Sequence, residues 1–391
     1  MKKTIVHITP FFHPSIGGVE KSIEILSMES VKKGYDVHII TSYLDNFGSR
    51  IQRPSFEYYH KIAIHRTKHL IKYGFGVLLN NLCKIIKKIE PNFIHVHVYR
   101  HPHTLQVIGK ISRNYITILN THAPFPPPNE VPITYNFYYS IFDKFISPLY
   151  LLMFKSIITL TEYDKKQIIK RGAPLNRVIT IPNPISHIYY ENCTCKNMVI
   201  RENINLENYK DEFIILYAGR ITYQKNLETI LYSISMLNFD IRKKPIVIFS
   251  GPGDEKYVSK LKNTARKLNV KLFFTGPLNE LELLYLYKNS TIFILPSFYE
   301  AFSLSLVEAM ASGLPVLSLA RGGPEYILGN KLKKYCFINN YDINKLTYRI
   351  KKLLLNEELR ENISRLCQER AQMFNPKKIM NRYEKLYSFL E

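Results

Sequence analysis

Short apolar runs alternate with longer amphipathic stretches along the first half of the chain. Residues 4–9 predict a buried strand, 19–33 a helix, and 37–41 a second strand, so the chain opens with a βαβ unit. Further strand-like runs lie at 92–98, 115–119, 156–161 and 178–181, and a helical pattern covers 77–89.

The second half repeats this pattern more regularly. Apolar runs lie at 213–218, 246–250, 271–275, 292–295 and 315–319. The first four are followed by helical patterns at 226–237, 254–268, 280–289 and 303–312. Strands that alternate with helices of this length predict an α/β fold with parallel sheets and helices on both faces. We therefore expect two Rossmann-like domains that face each other across a deep cleft, where the carboxyl ends of the strands bind ligands.

Composition supports a folded intracellular protein. The chain has 391 residues, of which 46% are hydrophobic and 22% charged, so wholesale disorder is excluded. Five cysteines are few and odd in number, which argues for a reducing compartment. Because no apolar stretch has the length of a signal peptide or a membrane span, we expect a cytoplasmic protein.

The charge balance predicts an affinity for anions. Lysine and arginine outnumber the acidic residues by 54 to 32, a net charge of +22. Such a field attracts nucleic acid, anionic lipid surfaces or phosphorylated small molecules. A composition generally rich in lysine explains the charge equally well. No nucleic-acid-binding motif accompanies the charge, so a nucleic-acid partner is not expected.

Candidate chemistry in the second half collects where predicted strands end. Gly219-Arg220 follows the first strand, and Lys225 stands at the start of the next helix, an arrangement that suits a phosphate. Another helix begins near Ser303, a predicted N-cap, after Glu300, and carries Glu308. Cations, helix-terminal amides and carboxylates at one end of one sheet describe a pocket for a nucleotide-sugar.

The segment from Glu300 to Glu308 resembles the E-x7-E signature of the retaining glycosyltransferases of family 4, which have the GT-B fold. Supporting motifs occur in the family's order and spacing: Gly17-Gly18-Val19-Glu20, Pro182-Asn183-Pro184, Gly219-Arg220, Lys225-Asn226, Gly251-Pro252-Gly253 and Gly322-Gly323-Pro324-Glu325. The resemblance implies an acceptor-side domain over 1–190, a domain over 191–375 that binds the nucleotide-sugar donor, and a helix over 376–391 that crosses back to the first domain.

Donor-binding roles follow from the resemblance residue by residue. It implies that Arg220 and Lys225 bind the donor diphosphate and act in catalysis. Glu300 contacts the donor sugar and is also catalytic, while Glu308 holds the ribose hydroxyls. Backbone amides at Gly17, Gly18, Phe302, Ser303 and Leu304 assist the diphosphate, and Leu278 and Glu280 lie where the family packs the base.

A catalytic histidine is expected in the first domain. All 12 histidines lie between His7 and His187. His122 follows a predicted strand, precedes a proline-rich loop, and matches the family's histidine near the transferred sugar. The resemblance thus implies metal-independent, retaining transfer of a sugar to a glycan, glycolipid or lipid-linked acceptor, with the donor as co-substrate and no other cofactor.

Two other functions remain open on the sequence. His95, His97, His101 and His103 form an H-x-H pair of motifs after a strand, which is compatible with a metal-dependent hydrolase. The positive charge alone is compatible with a non-enzymatic module that binds polyanions.

Contact with an anionic membrane is a further hypothesis. Lys68, Lys72, Lys84, Lys87 and Lys88 punctuate an apolar stretch, and residues 135–154 are rich in Tyr, Phe, Leu and Ile. Such segments either lie on anionic bilayers or pack inside the domain. The first case predicts a peripheral protein on the inner face of the membrane.

Overall fold

The chain divides into two compact units. The computed structural model describes residues 2–391 except 16, 46–47, 74–75, 123–124, 126–132, 192–198, 201–203, 210 and 238–244. One unit comprises Met1–Pro184 and Pro376–Glu391, and the other comprises Ile185–Asn375. The division thus lies a few residues before the predicted boundary between 190 and 191, and residues 192–198, just after that boundary, lie outside the described residues. The C-terminal helix belongs to the first unit.

An eight-stranded sheet forms the centre of the first unit. The strands of this unit are β1 (Thr4–Ile8), β2 (Asp36–Ser42), β3 (Phe56–Tyr59), β4 (Ile62–Thr67), β5 (His69–Tyr73), β6 (Gly76–Leu79), β7 (Phe93–His97), β8 (Ile116–Asn120), β9 (Ser156–Thr159) and β10 (Val178–Thr180). The sheet order is β10-β9-β8-β7-β1-β2-β4-β3, and every pair is parallel except β3 with β4. Six strands, β1, β2, β7, β8, β9 and β10, lie close to the predicted runs, because they are largely apolar and mostly buried.

Helices cover both faces of this sheet. They are α1 (Gly18–Lys32), α2 (Leu82–Ile89), α3 (Pro102–Leu105), α4 (Lys110–Asn114), α5 (Ile133–Ile141), α6 (Ser147–Leu151) and α7 (Glu162–Ile169), with α15 (Pro376–Leu390) from the end of the chain. A π-helical turn, Phe142–Ile146, joins α5 to α6. α15 packs beside α1, and Tyr383 and Tyr387 enter the same core cluster as Phe93 and Ile118.

The helix predicted over 77–89 is wrong in its first part. Residues 76–79 form β6, paired antiparallel with β5, and the helix begins only at Leu82. Asn81, with φ of 56°, separates the two elements because a left-handed residue ends the strand path without continuing a helix. Val77 and Leu79 are buried in the core, so the apolar residues that suggested a helix serve a hairpin.

The second unit is built on a five-stranded parallel sheet. Its strands are β11 (Val199–Ile200), β12 (Ile204–Asn205), β13 (Ile214–Ala218), β14 (Ile246–Ser250), β15 (Leu272–Gly276), β16 (Ile292–Leu295), β17 (Tyr299–Glu300), β18 (Val316–Ser318) and β19 (Arg321–Gly322). The sheet order is β15-β14-β13-β16-β18, and all neighbouring pairs are parallel. From β13 the chain adds β14 and β15 on one side and then β16 and β18 on the other, so the order of addition reverses between β13 and β16. In sheets of this topology, ligands bind outside the carboxyl ends of the strands at such a reversal.

The helices of the second unit are α8 (Glu228–Ser235), α9 (Glu255–Lys267), α10 (Glu280–Lys288), α11 (Leu304–Ala311), α12 (Gly323–Cys336), α13 (Ile343–Leu355) and α14 (Glu357–Ala371). Asp254 and Asn279 cap α9 and α10 by accepting hydrogen bonds from the backbone. These caps place each helix start directly after a strand end.

Candidate functional site

Two turns of the second unit meet at the carboxyl ends of β13 and β14. A Cβ at Gly251 would lie 2.1 Å from the carbonyl oxygen of Gly219, so this contact requires glycine. The hydroxyl of Tyr217 donates to the carbonyl oxygen of Arg220 at 2.9 Å. The backbone of the Gly219-Arg220 turn is thereby fixed, while the Arg220 side chain is exposed.

Lys225 and Glu300, 75 positions apart in sequence, form an ion pair. The Nζ of Lys225 lies 2.6 Å from Oε1 of Glu300, and the two side chains are only 10% and 15% exposed. The hydroxyl of Ser297 donates to the same carboxylate oxygen at 2.7 Å. The structure thus brings two predicted site residues together, and it adds Ser297, which the sequence analysis did not identify.

A close backbone contact holds the Glu300 segment in place. β17 pairs with β19 through Glu300 and Gly322. A Cβ at Gly322 would lie 2.6 Å from the carbonyl oxygen of Glu300, and one at Gly323 would lie 2.4 Å from that of Ala301. The Gly322-Gly323 motif therefore serves to let the chain approach Glu300.

α11 begins beside this contact. Ser303 occupies the N-cap position with φ of 82°, a left-handed conformation that favours glycine. Its side chain makes no capping hydrogen bond, so the expectation that it caps the helix is wrong in that respect. The backbone N–H groups of Leu304 and the following residues have no acceptor within the helix, because the first turn of a helix lacks them. Phe302 is buried against Phe374.

Glu308 and Glu280 are the remaining carboxylates predicted in this unit. The hydroxyl of Tyr287 donates to Oε2 of Glu308 at 3.1 Å. Burial, assisted by the Glu308 charge, raises the pKa of Tyr287 well above its usual range, so the phenol stays a donor. The hydroxyl of Ser186 donates to Glu280, the first residue of α10, and half-buried Leu278 lies in the loop before it.

In the first unit, Gly17 and Gly18 begin α1. Gly17 is the N-cap, with extended backbone, and its carbonyl oxygen accepts from the backbone of Lys21. The following N–H groups are those that a helix leaves without internal acceptors. This end of α1 is half-buried to exposed.

His122 lies two residues beyond β8 in a left-handed conformation, with φ of 40°. Its Nε2 is 2.9 Å from Nδ1 of His97, whose Nε2 is 2.9 Å from Nδ1 of His7. Burial lowers the pKa of His122 to about 4, so its ring is neutral at pH 7. The sequence analysis identified His122 but not its connection to His97 and His7.

The four histidines of the hydrolase hypothesis do not converge. His95 contacts Asn120 and Tyr387 through its two ring nitrogens, and Nε2 of His103 contacts the carbonyl oxygen of His97. Burial lowers the pKa of His101 to about 4. Within the part of the chain that the structure describes, no group of three His, Cys, Asp or Glu residues could hold a metal ion. The hydrolase hypothesis therefore has no support.

Sequence comparison assigns both halves of the chain. The description "Glycosyltransferase Family 4" matches residues 16–187, and "Glycosyl transferases group 1" matches residues 200–370. The chain is a family 4 glycosyltransferase. This assignment also leaves the alternative of a non-enzymatic polyanion-binding module without support.

Relatives of this glycosyltransferase differ in how much they share. An uncharacterized glycosyltransferase of Methanocaldococcus jannaschii is 30% identical over 44% of this chain and 45% of its own length. Another relative is matched over only 32% of its length. The alpha-monoglucosyldiacylglycerol synthase of Streptococcus pneumoniae is 23% identical over 86% of this chain and 75% of its own.

The structural comparison establishes the GT-B fold. The structure of Anabaena HepE in complex with UDP and glucose covers 99% of each chain, with a TM-score of 0.75 and 15% identity. The α/β architecture, with a parallel sheet in each of two Rossmann-like domains, agrees with the fold class predicted from the sequence.

Proposed function

We propose that this glycosyltransferase moves a sugar, with retention of anomeric configuration, from a nucleoside-diphosphate sugar to a hydroxyl of a glycan, glycolipid or lipid-linked acceptor. The observation that carries the proposal is the Lys225–Glu300 pair beside the start of α11. A lysine and a buried carboxylate next to free helix amides match the needs of a sugar diphosphate, which is anionic at one end and rich in hydroxyl groups at the other.

The donor diphosphate is assigned to the exposed guanidinium of Arg220, the ammonium of Lys225 and the first amides of α11. The dipole of α11 adds positive potential at the same place. These groups supply the charge that balances the leaving diphosphate, so we propose transfer that needs no metal ion. The amides at Gly17 and Gly18 are assigned an auxiliary role, because they too begin a helix.

Glu300 is assigned to the hydroxyls of the donor sugar. One of its oxygens, Oε1, already accepts from Lys225 and Ser297, which fixes the direction of the carboxylate. Glu308 is assigned to the ribose hydroxyls, with Tyr287 holding its other side. Leu278 and Glu280, at the loop before α10, are assigned to the base.

The reaction proposed is attack on the face from which the diphosphate departs. The bond from the anomeric carbon to the diphosphate oxygen breaks, the acceptor oxygen bonds to that carbon, and the acceptor proton passes to the departing phosphate. Arg220, Lys225 and the helix amides stabilise the charge that develops, and losing one such donor typically lowers the rate about 100- to 1000-fold. His122 is assigned to the transferred sugar, with a neutral ring that contributes a hydrogen bond.

UDP is the first nucleotide to test, because the matching HepE structure holds UDP and glucose. The name of the Streptococcus pneumoniae relative specifies a glucosyl diacylglycerol, which supports including lipid acceptors in the search. Both are properties of other proteins and serve here only to order the experiments.

A membrane-bound acceptor is also supported by the surface of the first unit. Phe137, Phe145 and Leu149, on α5, the π-turn and α6, are 70%, 64% and 68% exposed. Ile141, Ile146, Leu152 and Met153 are exposed on the same stretch. We name the surface formed by these seven residues the apolar ridge.

Basic groups accompany the apolar ridge. Lys144 lies 5.4 Å from the Phe145 ring, exposed Lys155 follows the ridge, and Arg177 donates to the carbonyl oxygen of Leu152. By contrast, Leu82 and Ile86 of the lysine-rich segment are buried in the core. The side chain of Lys72 lies outside the described residues. We therefore propose that residues 137–153, and not residues 82–89, contact an anionic membrane from the cytoplasmic side.

The catalytic assignment is tested by replacing Glu300 with Gln. Diphosphate release from the donor should fall at least about 100-fold, because a carboxylate that accepts sugar hydroxyls becomes a neutral amide. Binding of the nucleoside diphosphate should change less than fivefold, a much smaller effect. Glu357→Gln, on an exposed side chain at the start of α14, is the matched control and should retain full activity. Wild-type turnover by Glu300→Gln would contradict the assignment.

A further inference from the structure

Three buried imidazoles form a continuous chain in the first unit. Nδ1 of His7 lies 2.9 Å from Nε2 of His97, and Nδ1 of His97 lies 2.9 Å from Nε2 of His122. His7 belongs to β1, His97 ends β7, and His122 follows β8, so three adjacent strands each contribute one ring. The contacts follow from the register, which aligns His7 with His95 and His97 with Asn120.

The surroundings isolate this chain from other polar groups. The ring of His95 stacks on that of His7, with the ring centroids 5.0 Å apart, but its two nitrogens contact Asn120 and Tyr387. His103 reaches the backbone oxygen of His97 and not its ring. Among the described residues, Nε2 of His7 and Nδ1 of His122, the two ends of the chain, have no hydrogen-bond partner.

Burial makes all three rings neutral at pH 7. It lowers the pKa of His122 to about 4 and holds the pKa of His7 and of His97 well below the usual range, with neighbouring imidazoles adding to the effect. A neutral imidazole carries one N–H and one lone pair. Each of the two contacts needs one donor and one acceptor, so only two proton arrangements satisfy both.

The two arrangements differ at the ends of the chain. In the first, every ring is protonated at Nδ1, so His122 presents an N–H and His7 a lone pair. In the second, every ring is protonated at Nε2, and the ends are reversed. Both end nitrogens are buried, so each arrangement leaves one N–H without a partner. His7 lies inside β1 and is completely buried, whereas His122 lies beyond the end of β8 and its side chain retains slight exposure. Because an orphan buried N–H is costly and only the one at His122 lies where a ligand or water can satisfy it, the first arrangement is favoured.

We propose that His97 and His7 are positioning residues that fix His122 as the Nδ1–H tautomer, so that His122 donates a hydrogen bond to an oxygen of the bound sugar. The assignment of the sugar as ligand rests on the proposed function, but the tautomer does not. In this form His122 cannot accept a proton from the acceptor hydroxyl. The chain of rings therefore agrees with a reaction in which the departing phosphate takes that proton.

The direct test is nitrogen NMR of the full chain labelled with ¹⁵N-histidine at pH 7. We expect His7, His97 and His122 each to be protonated at Nδ1 only, with nitrogen–nitrogen couplings across both hydrogen bonds. Nε2 protonation of His122, a doubly protonated ring, or absent couplings would overturn the proposal. Single-histidine variants assign the resonances.

Variants test whether the hydrogen bonds among the three histidines control the tautomer and the rate. His7→Phe should remove one coupling and keep the coupling between His97 and His122. His97→Leu should remove both couplings and lower kcat about 10-fold, the rate equivalent of losing about one hydrogen bond, with the donor KM within about twofold. His65→Leu is the matched control, because His65 contacts His38 at 2.9 Å in a separate imidazole pair. It should leave both couplings and kcat unchanged.

The outcomes separate the two proposals. The expected tautomer without turnover of any nucleotide-sugar would contradict the proposed function and keep the positioning role of His97 and His7. Turnover with His122 protonated at Nε2 would support the proposed function and contradict the positioning role of His97 and His7. Because the wild-type spectrum decides the tautomer alone, a variant that fails to fold does not remove the test.

Discussion

The backbone oxygens of Glu300 and Ala301 lie so close to Gly322 and Gly323 that no side chain fits there. Glu300 thus reaches Lys225 only because the neighbouring turn has no Cβ. Glu300 and the Gly322-Gly323 motif therefore act together, although Gly322 lies 22 positions after Glu300 in sequence.

Replacing Gly322 with Ala tests this device. The new Cβ would lie 2.6 Å from the Glu300 oxygen at a φ of +93°, whereas a Cβ at Gly276, with φ of +65°, meets no atom within 4 Å. Both variants incur the left-handed penalty of about 1–2 kcal/mol. Gly322→Ala should lose about 1–3 kcal/mol more from overpacking, and most activity. Gly276→Ala is the control. An equal loss of the free energy of unfolding in both variants, measured by urea unfolding, would contradict the account.

Residues of the site were predictable where a motif marks them. Arg220, Lys225, Glu300 and Glu308 were identified because strand ends and helix starts are visible in the apolar pattern. Ser297 was missed because its role depends on a contact with Glu300 that no spacing rule specifies. Tyr287 and His7 were missed, and His97 was noted only for the hydrolase hypothesis, because their partners come from other strands or helices.

Strands and helices, like the site residues, were predictable where the signal lies in the local sequence and not where it depends on distant contacts. β13, β14, β16 and α15 were predicted almost to the residue, because each is a continuous apolar run or a clear amphipathic pattern. The hairpin of β3 and β4 was not predicted. Its turn contains His60 and Lys61 with φ of 50° and 66°. The sequence carries no signal for this turn, because it lacks the Asn-Gly, Asp-Gly or Gly-Gly pairs that are typical of such hairpins.

Buried histidines make the strands of the first unit sensitive to acid. Burial lowers the pKa of His95 and His122 to about 4 and that of His103 to about 3, while the unfolded residues protonate near 6.5. The unfolded chain therefore binds more protons below pH 6.5. Stability is fully present above pH 6.5 and is lost as the pH falls towards 4, by up to about 1.4 kcal/mol per histidine and pH unit.

Hydrogen exchange of β7 and β8 at pH 7 and pH 5 measures this loss, with β13 and β14 as the internal reference. The second unit contains a single histidine, His187. Burial raises the pKa of Asp164 to about 7, which favours the fold at low pH and partly offsets the loss. Asp164→Asn should therefore steepen the acid response. Unchanged opening free energies in β7 and β8 would contradict the prediction.

At the scale of the whole molecule, charge and exposed apolar area act together. In the proposed membrane contact, the net charge of +22 attracts the anionic surface and the apolar ridge supplies the area that enters it. No helix in the described residues is long and apolar enough to cross a membrane.

Vesicle flotation tests the apolar ridge. Phe145→Ser combined with Leu149→Ser should reduce the bound fraction about 10-fold, because each loses part of the 1.5–3 kcal/mol that burying such a side chain provides. Tyr58→Ser, on an equally exposed ring of β3, is the control and should bind as the wild type does. A bound fraction that does not depend on the anionic lipid content would exclude this surface. A bound fraction that is the same for the double variant and the wild type would exclude it as well.

The central claim is that the second unit binds a nucleoside diphosphate through Arg220, and the most direct measurement is a metal-free thermal-shift panel. UDP, GDP, ADP and CMP are each tested with EDTA present on the wild type, Arg220→Ala and the control Arg365→Ala, whose side chain lies on α14. A ligand at 100 times its Kd stabilises by about 2.7 kcal/mol, which raises Tm by a few degrees.

We predict that one nucleoside diphosphate raises Tm of the wild type and Arg365→Ala by a few degrees, and that of Arg220→Ala by much less. No shift with any nucleotide, or an equal shift in Arg220→Ala, would contradict the account.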